Sequence, residues 1–476
     1  MRLKMTKIEI ALIAFDILFL LITVLFNADI LMSITLIIWL NLLVYSMTCL
    51  EKRNVLFAFL VSFFVFLLGR QVLETFGFHE KTEIFSSEIE IHTELSLLIS
   101  MIGFAIGYLC NRVIKTGSHG RTTQNLKYYD INSIRTASKY YFYLTYIFLI
   151  STTIESTLFV YANGYLASYV SFISRIPLLL RVIGETAIPA YFLFLATMPP
   201  KTKAIIPIAL HIVYLLINLV GGRRYRCIAG LLILFIYFNM RNRLSEKWFG
   251  KRETIISIVS VISLVIIAYE IGKTRLGDVA DISSIGKVVE EFIYEQGVSI
   301  NVIKRAYKNI DAFQEGRLYM FGTTIHLLQT SFIGRLFGIR AYGGNTADYA
   351  KYGYSMAHAL SYRVMGQRYL EGGGTGSSYI AEVFFSFGYI GVFFANVFYG
   401  FLCKNLMKYE RNNVWRMALD LIIMQQVLFA PRGNFDGFLS VILDITTWGT
   451  LIMIALIARI IEVPQIVSKK TDVRKA

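Results

Sequence analysis

Arg223, Arg224 and Arg226 follow directly on Gly221-Gly222, and a fourth arginine stands in Pro431-Arg432-Gly433-Asn434-Phe435-Asp436-Gly437. Guanidinium is permanently charged and offers phosphate oxygens a bidentate fork. A pyrophosphate at a membrane surface is the kind of ligand that needs two or more such groups, and neighbouring glycines let the backbone approach it closely. Lipid headgroups would satisfy the same arginines, so both anions remain open as ligands.

Other charges stand inside apolar stretches, where they are costly and mark a site or a pathway. Arg70/Glu74 and Arg181/Glu185 are each spaced i, i+4, so each pair can meet on one helix face. They read either as internal ion pairs or as the lining of a cavity. Glu155, Glu270, Glu382 and Asp444 also fall near the same ends of their stretches, and Asp420 alone falls toward the other end. A midplane transport site would show the opposite bias.

A long polar segment, 273–378, carries His326 and His358, the arginines Arg335, Arg340, Arg363 and Arg368, and Tyr342, Tyr349, Tyr352, Tyr354, Tyr362 and Tyr369. Arg340 and Arg363 are added to the candidate cavity lining. Tyrosine presents a flat apolar face with a polar edge, which suits a sugar ring. Segments this long are usually functional. Its last part, Glu371-Gly372-Gly373-Gly374-Thr375-Gly376-Ser377-Ser378, lacks the GK[ST] ending of a phosphate loop and reads as a flexible hinge.

The elements that position these residues are membrane helices. The chain is 55% hydrophobic and 17% charged, against about 25% charged residues in soluble domains. Apolar blocks at 8–28, 30–50, 55–76, 95–114, 140–161, 178–198, 204–220, 227–240, 254–272, 379–403, 412–430 and 438–461 approach the roughly 20 residues a span requires. The expected architecture is therefore an all-α polytopic membrane protein of about twelve transmembrane helices with one large extracytoplasmic loop. Nine spans occupy 1–272, the loop 273–378, three spans 379–462, and a basic cytoplasmic tail 463–476. The first block is too long for a signal peptide and no small-residue cleavage site follows it.

Threaded with both termini inside, the cytoplasmic segments hold 26 Lys and Arg, and the short outer loops hold six. That asymmetry sets the orientation. It also accounts for the net charge of +15 without nucleic acid. Cys49, Cys110, Cys227 and Cys403 show no metal-type spacing, and no His-x-x-His or Asp-x-Asp occurs in the long loop. Neither a metal nor another cofactor is expected.

Three features resemble the O-antigen and capsular polysaccharide polymerases, the Wzy-type repeat-unit polymerases. They are Gly221-Gly222-Arg223-Arg224 opening a span, Gly373-Gly374-Thr375-Gly376-Ser377-Ser378-Tyr379-Ile380-Ala381-Glu382 followed by Phe387-Gly388-Tyr389-Ile390-Gly391-Val392, and the large loop before the last three spans. The resemblance implies a glycosyltransferase of GT-C-like layout in the bacterial cytoplasmic (inner) membrane. It would move a growing glycan from its undecaprenyl-diphosphate carrier onto the next lipid-linked oligosaccharide, making O-antigen or capsule. Arg223, Arg224, Arg226 and Arg432 would then hold the diphosphate, and His358, Glu382 or Asp436 would serve as general base. Partners would be the lipid-linked oligosaccharides, the bilayer and a chain-length regulator protein, with no nucleic acid. The rival readings are an O-antigen ligase or another lipid-linked-sugar transferase, and a lipid-linked oligosaccharide flippase; no internal repeat supports the last.

The charge asymmetry predicts that a reporter fused at position 300 reads extracytoplasmic and one at position 125 reads cytoplasmic. A cytoplasmic signal at position 300 would overturn the orientation.

Overall fold

The structure is a computed structural model. It describes residues 14–21, 29–110, 131–243, 248, 250, 263, 266, 267, 269, 270, 284–331, 334, 336–406 and 413–475, with the backbone alone for 243, 285 and 463–475. The described residues form helices and connecting turns, with no strand among them. Eight helices are long and apolar enough to cross a bilayer: α1 (Ile30–Met47), α2 (Leu50–Thr75), α3 (Ser87–Leu109), α4 (Ile131–Asn163), α5 (Leu178–Ala196), α6 (Lys201–Val220) and two nearer the C-terminus, Tyr379–Asn405 and Ile445–Glu462. The protein is thus a multi-pass membrane protein, with eight such helices rather than twelve among the described residues. The expected spans 8–28 and 254–272 lie largely outside those residues, as do Arg335 and most of the basic 112–127 segment.

Of the other expected spans, 227–240 extends to α7 (Arg224–Arg243), because the arginines at both ends join the helix. The long segment contributes α8 (Ile285–Gln296), α9 (Ser299–Lys308), α10 (Gly322–Thr330), α11 (Ala347–Tyr352) and α12 (Met356–Met365). Then follow α13 (Tyr379–Asn405), α14 (Val414–Phe429), α15 (Gly437–Leu443) and α16 (Ile445–Lys475).

Two expectations are corrected by local chemistry. The continuous span read at 438–461 is broken at Asp444, whose carboxylate accepts from the Thr446 and Thr447 amides at 3.2 and 3.0 Å. Asp444 is therefore the N-cap of α16 and no mid-helix charge, a role for which a short carboxylate is well suited. The glycine run read as a hinge is tied down: the Thr375 amide donates to Ser361 Oγ at 2.9 Å, and Asn345 Nδ2 donates to the Gly373 carbonyl at 3.0 Å.

Further breaks shape the bundle. α5 divides at Thr186 into Leu178–Glu185 and Ala187–Ala196. The cause is Pro189, which has no N–H to bond the Glu185 carbonyl one turn back. α13 kinks at Phe387-Gly388, where Gly388 takes φ 61°, a conformation that favours glycine.

The closest helix pair is α3 with α13. A Cβ on Gly107 would lie 2.0 Å from the Val397 carbonyl oxygen, and one on Gly400 would lie 2.2 Å from that of Phe104. Gly103 and Gly107 form a small-xxx-small face, the device by which membrane helices bring their backbones into contact. Above this pair, α9 docks through charge. Lys304, 1% exposed, reaches Gln71 Oε1 at 3.0 Å and Glu90 Oε2 at 2.7 Å, and Arg305 Nε donates to Glu83 Oε2 at 3.0 Å. The acidic 77–94 stretch is the counter-charge for this docking.

Gly107→Val should separate α3 from α13, at a cost of at least about 2 kcal/mol for overpacking. Melting in detergent would show a clear drop for it and none for Gly343→Ala, where a Cβ meets nothing within 4 Å.

Candidate functional site

Three consecutive residues at the C-terminal end of α8 meet arginines from α2, from the start of α7 and from the turn after α14. Tyr294 lies under Arg70 of α2, with the guanidinium carbon 4.0 Å from the ring centroid and Nη2 2.9 Å from the hydroxyl. Glu295 lies 3.7 Å from Arg224 at the start of α7. Gln296 accepts from Arg432 Nη1 at 2.7 Å, just past α14. A helix C-terminus carries the negative end of the macrodipole, so it stabilises cations gathered there. Gly297 lets Arg70 lie against this end, since a Cβ there would sit 2.5 Å from that of Arg70. Aromatic packing joins the same elements, with Tyr225 4.9 Å from Phe429 and Phe66 5.3 Å from Phe429 between ring centroids.

The segment carrying Arg432 is held from below by Glu382. This carboxylate is fully buried in the first turn of α13 and accepts three hydrogen bonds: Ser377 Oγ at 2.6 Å, Asn434 Nδ2 at 2.9 Å and the Phe435 amide at 2.8 Å. Asp436, also fully buried, accepts from the Thr324 amide at 2.6 Å, while its Oδ1 has no partner. Glu382 and Asp436 thus lie near one another and tie α13, the 430–437 turn and α10 together.

Beside this knot, α5, α10, α14, α15 and the start of α16 line an open cavity of about 470 Å³. Glu185, Thr323, His326, Gln425, Gln426 and Asp444 provide its polar wall, and Ile188, Pro189, Phe192, Leu327, Ile422 and Val441 its apolar one. His326 continues outward into a ladder of rings: 5.2 Å to Tyr349, then 4.2 Å from Tyr349 to His358. His358 Nδ1 meets the Tyr369 hydroxyl at 2.8 Å. Burial lowers the His358 pKa to about 4, so its ring is neutral at physiological pH.

The structure brings together Arg70, Arg224 and Arg432, and joins Glu382 to Asp436. Arg223 donates to Ser156 Oγ at 2.7 Å, and Arg226 contacts Tyr225 while its charge reaches Glu185. Arg70 and Glu74 form a buried ion pair at 3.0 Å. Arg181 and Glu185 form no ion pair; Glu185 faces the cavity under the charges of Arg181, Arg226 and Asp444. Arg340 and Arg363 lie on the solvent-facing side of the loop, paired with Asp348 at 3.2 Å and Asp311 at 2.6 Å, and neither lines this cavity. His358, Glu382 and Asp436 do not line it either.

Sequence reasoning did not assign roles to His326, Gln425 and Gln426, because residues 100 positions apart carry no pairwise signal in one sequence. Tyr349 and Tyr369, expected as sugar-facing rings, are buried in the ladder. Among the described residues no group of three or more His, Cys, Asp or Glu side chains is placed to hold a metal ion.

The family model described as "O-antigen polysaccharide polymerase Wzy" matches residues 7–462, nearly the whole chain. No curated protein and no solved structure matches.

Glu382→Ala would strand buried donors on Ser377, Asn434 and Phe435, a loss of about 3 kcal/mol for charge-assisted bonds. The expected outcome is a lower melting temperature together with loss of activity, since the Arg432 turn loses its anchor. Unchanged melting would show that the knot is not held by this carboxylate.

Proposed function

Because the chain belongs to the O-antigen polysaccharide polymerase Wzy family, which joins lipid-linked glycan repeat units in a membrane, we propose that its donor is a glycan on undecaprenyl diphosphate and that transfer takes place at the extracytoplasmic face. The convergence of Arg224 and Arg432 on adjacent residues of α8, with Arg223 and Arg226 beside them, carries this reading. Arg224 at the start of α7 and Arg432 just past α14, distant in sequence, meet neighbouring residues of a helix from the long loop. A leaving diphosphate gains negative charge as the glycosidic bond breaks, and preorganised guanidinium groups stabilise that charge.

In the proposed step, a hydroxyl oxygen of the acceptor repeat unit attacks the anomeric carbon of the donor sugar. The bond from that carbon to the phosphate oxygen breaks, its electrons leave with undecaprenyl diphosphate, and the hydroxyl proton passes to a base. The lipid diphosphate is already an activated donor, so no nucleotide sugar enters. The 26-to-6 charge asymmetry supports placing the loop outside and both termini in the cytoplasm. The bundle with its large loop supports a GT-C-like layout, and a chain-length regulator is the protein partner this reading implies.

Arg223→Ala and Arg432→Ala should each reduce surface polymer to single repeats while protein levels stay near normal. Lysine at either position should restore only part of the activity, because it keeps the charge without the fork. Full-length polymer from both alanine variants would remove the diphosphate assignment. Long lipid-linked chains in a deletion strain would point to a ligase.

A further inference from the structure

The cavity bounded by α5 and α10 has mixed walls and a size within the roughly 300–1,000 Å³ of small-molecule sites. Its lining mixes amides, hydroxyls and carboxylates with aliphatic and aromatic carbon. A sugar ring presents both kinds of surface, hydroxyls at its edge and C–H groups on its faces. His326 adds a buried Nδ1 without a hydrogen-bond partner, a polar atom that a bound hydroxyl would satisfy.

Two carboxylates line this cavity, and they differ in what they are free to do. Asp444 is occupied: Oδ1 accepts from the Thr446 amide at 3.2 Å, and Oδ2 from the Thr447 amide and hydroxyl at 3.0 and 3.1 Å. Glu185 has no hydrogen-bond or ion-pair partner among the described residues. It stands at the break that Pro189 imposes on α5, so its position is set by the backbone rather than by a partner. Its charge environment is Arg181, Arg226 and Asp444. Arg226 is one of the arginines proposed to hold the diphosphate, so Glu185 lies between the leaving-group charges and the cavity.

We propose that this cavity binds the acceptor sugar and that Glu185 is the catalytic base that takes the proton from its attacking hydroxyl. The inference rests on the arginine reading of the diphosphate. The hydroxyl oxygen bonds the donor's anomeric carbon, the carbon–phosphate oxygen bond breaks toward Arg226 and its neighbours, and the proton ends on the Glu185 carboxylate. A neutral sugar fits this wall better than a uronic acid, whose carboxylate would face Glu185 and Asp444.

The test uses the purified full chain in lipid nanodiscs, with lipid-linked single repeats as substrate and undecaprenyl diphosphate alone as the binding probe. Glu185→Gln should lower turnover at least 100-fold, the lower end of the contribution of general base catalysis. It should bind the probe within about twofold of the unchanged protein and melt at the same temperature. Glu185→Asp should recover part of the turnover. Turnover of Glu185→Gln within about threefold of the unchanged protein would overturn the assignment, as would parallel loss of probe binding, which would move Glu185 into the carrier site. Arg432→Ala tests the underlying reading separately. If it keeps probe binding while Glu185→Gln still blocks turnover, the arginine assignment fails and the base assignment stands.

Discussion

The C-terminal turn of α8 is the point at which the ends of α2, α7 and α14 acquire a common position. Tyr294, Glu295 and Gln296 each engage an arginine that would otherwise repel the other two. Like charges held near one another are tolerated when fixed dipoles and hydrogen-bond acceptors surround them. A helix end, a carboxylate, an amide and a tyrosine face supply those here. The long loop is therefore part of the cationic site, since without α8 the arginines have no shared counter-surface.

That arrangement depends in turn on packing deeper in the bundle. Backbone contact at Gly103, Gly107 and Gly400 packs the part of α13 beyond its kink against α3, and Glu382 stands in the first turn of α13. Through Asn434 and Phe435, Glu382 fixes the turn that carries Arg432. A buried carboxylate that accepts three donors is a positioning device first, because its lone pairs are already committed. The placement of Arg432 thus rests on short contacts from the first turn of α13.

Two kinds of chemistry adjoin where α5 breaks. Cations crowd the ends of α2, α7 and α14, while the neighbouring cavity is lined by amides, hydroxyls and carboxylates. At the break Pro189 removes one helical hydrogen bond, and Glu185 there lines the cavity within reach of the Arg226 charge. The chain as a whole belongs to a family that polymerises O-antigen repeat units.

The sequence alone determined the membrane class and most helix positions, because apolar block length is a local property of the chain; it read Arg224 and Arg226 as loop residues, and both stand in the first turn of α7. It also carried the family likeness through short glycine-arginine and glycine-serine stretches. Only the tertiary structure decided which of those charges meet. Arg181 and Glu185 share a helix at ideal spacing, yet Glu185 faces a cavity built partly from His326 and Gln425. Asp444 looked like a charge inside a span and is a cap, a role set by its own backbone angles. Arg340 and Arg363 looked like candidate lining and are surface ion pairs. In each case the deciding contact joins positions or conformations that periodicity cannot encode, since hydrophobic pattern reports which face is buried and not what it is buried against.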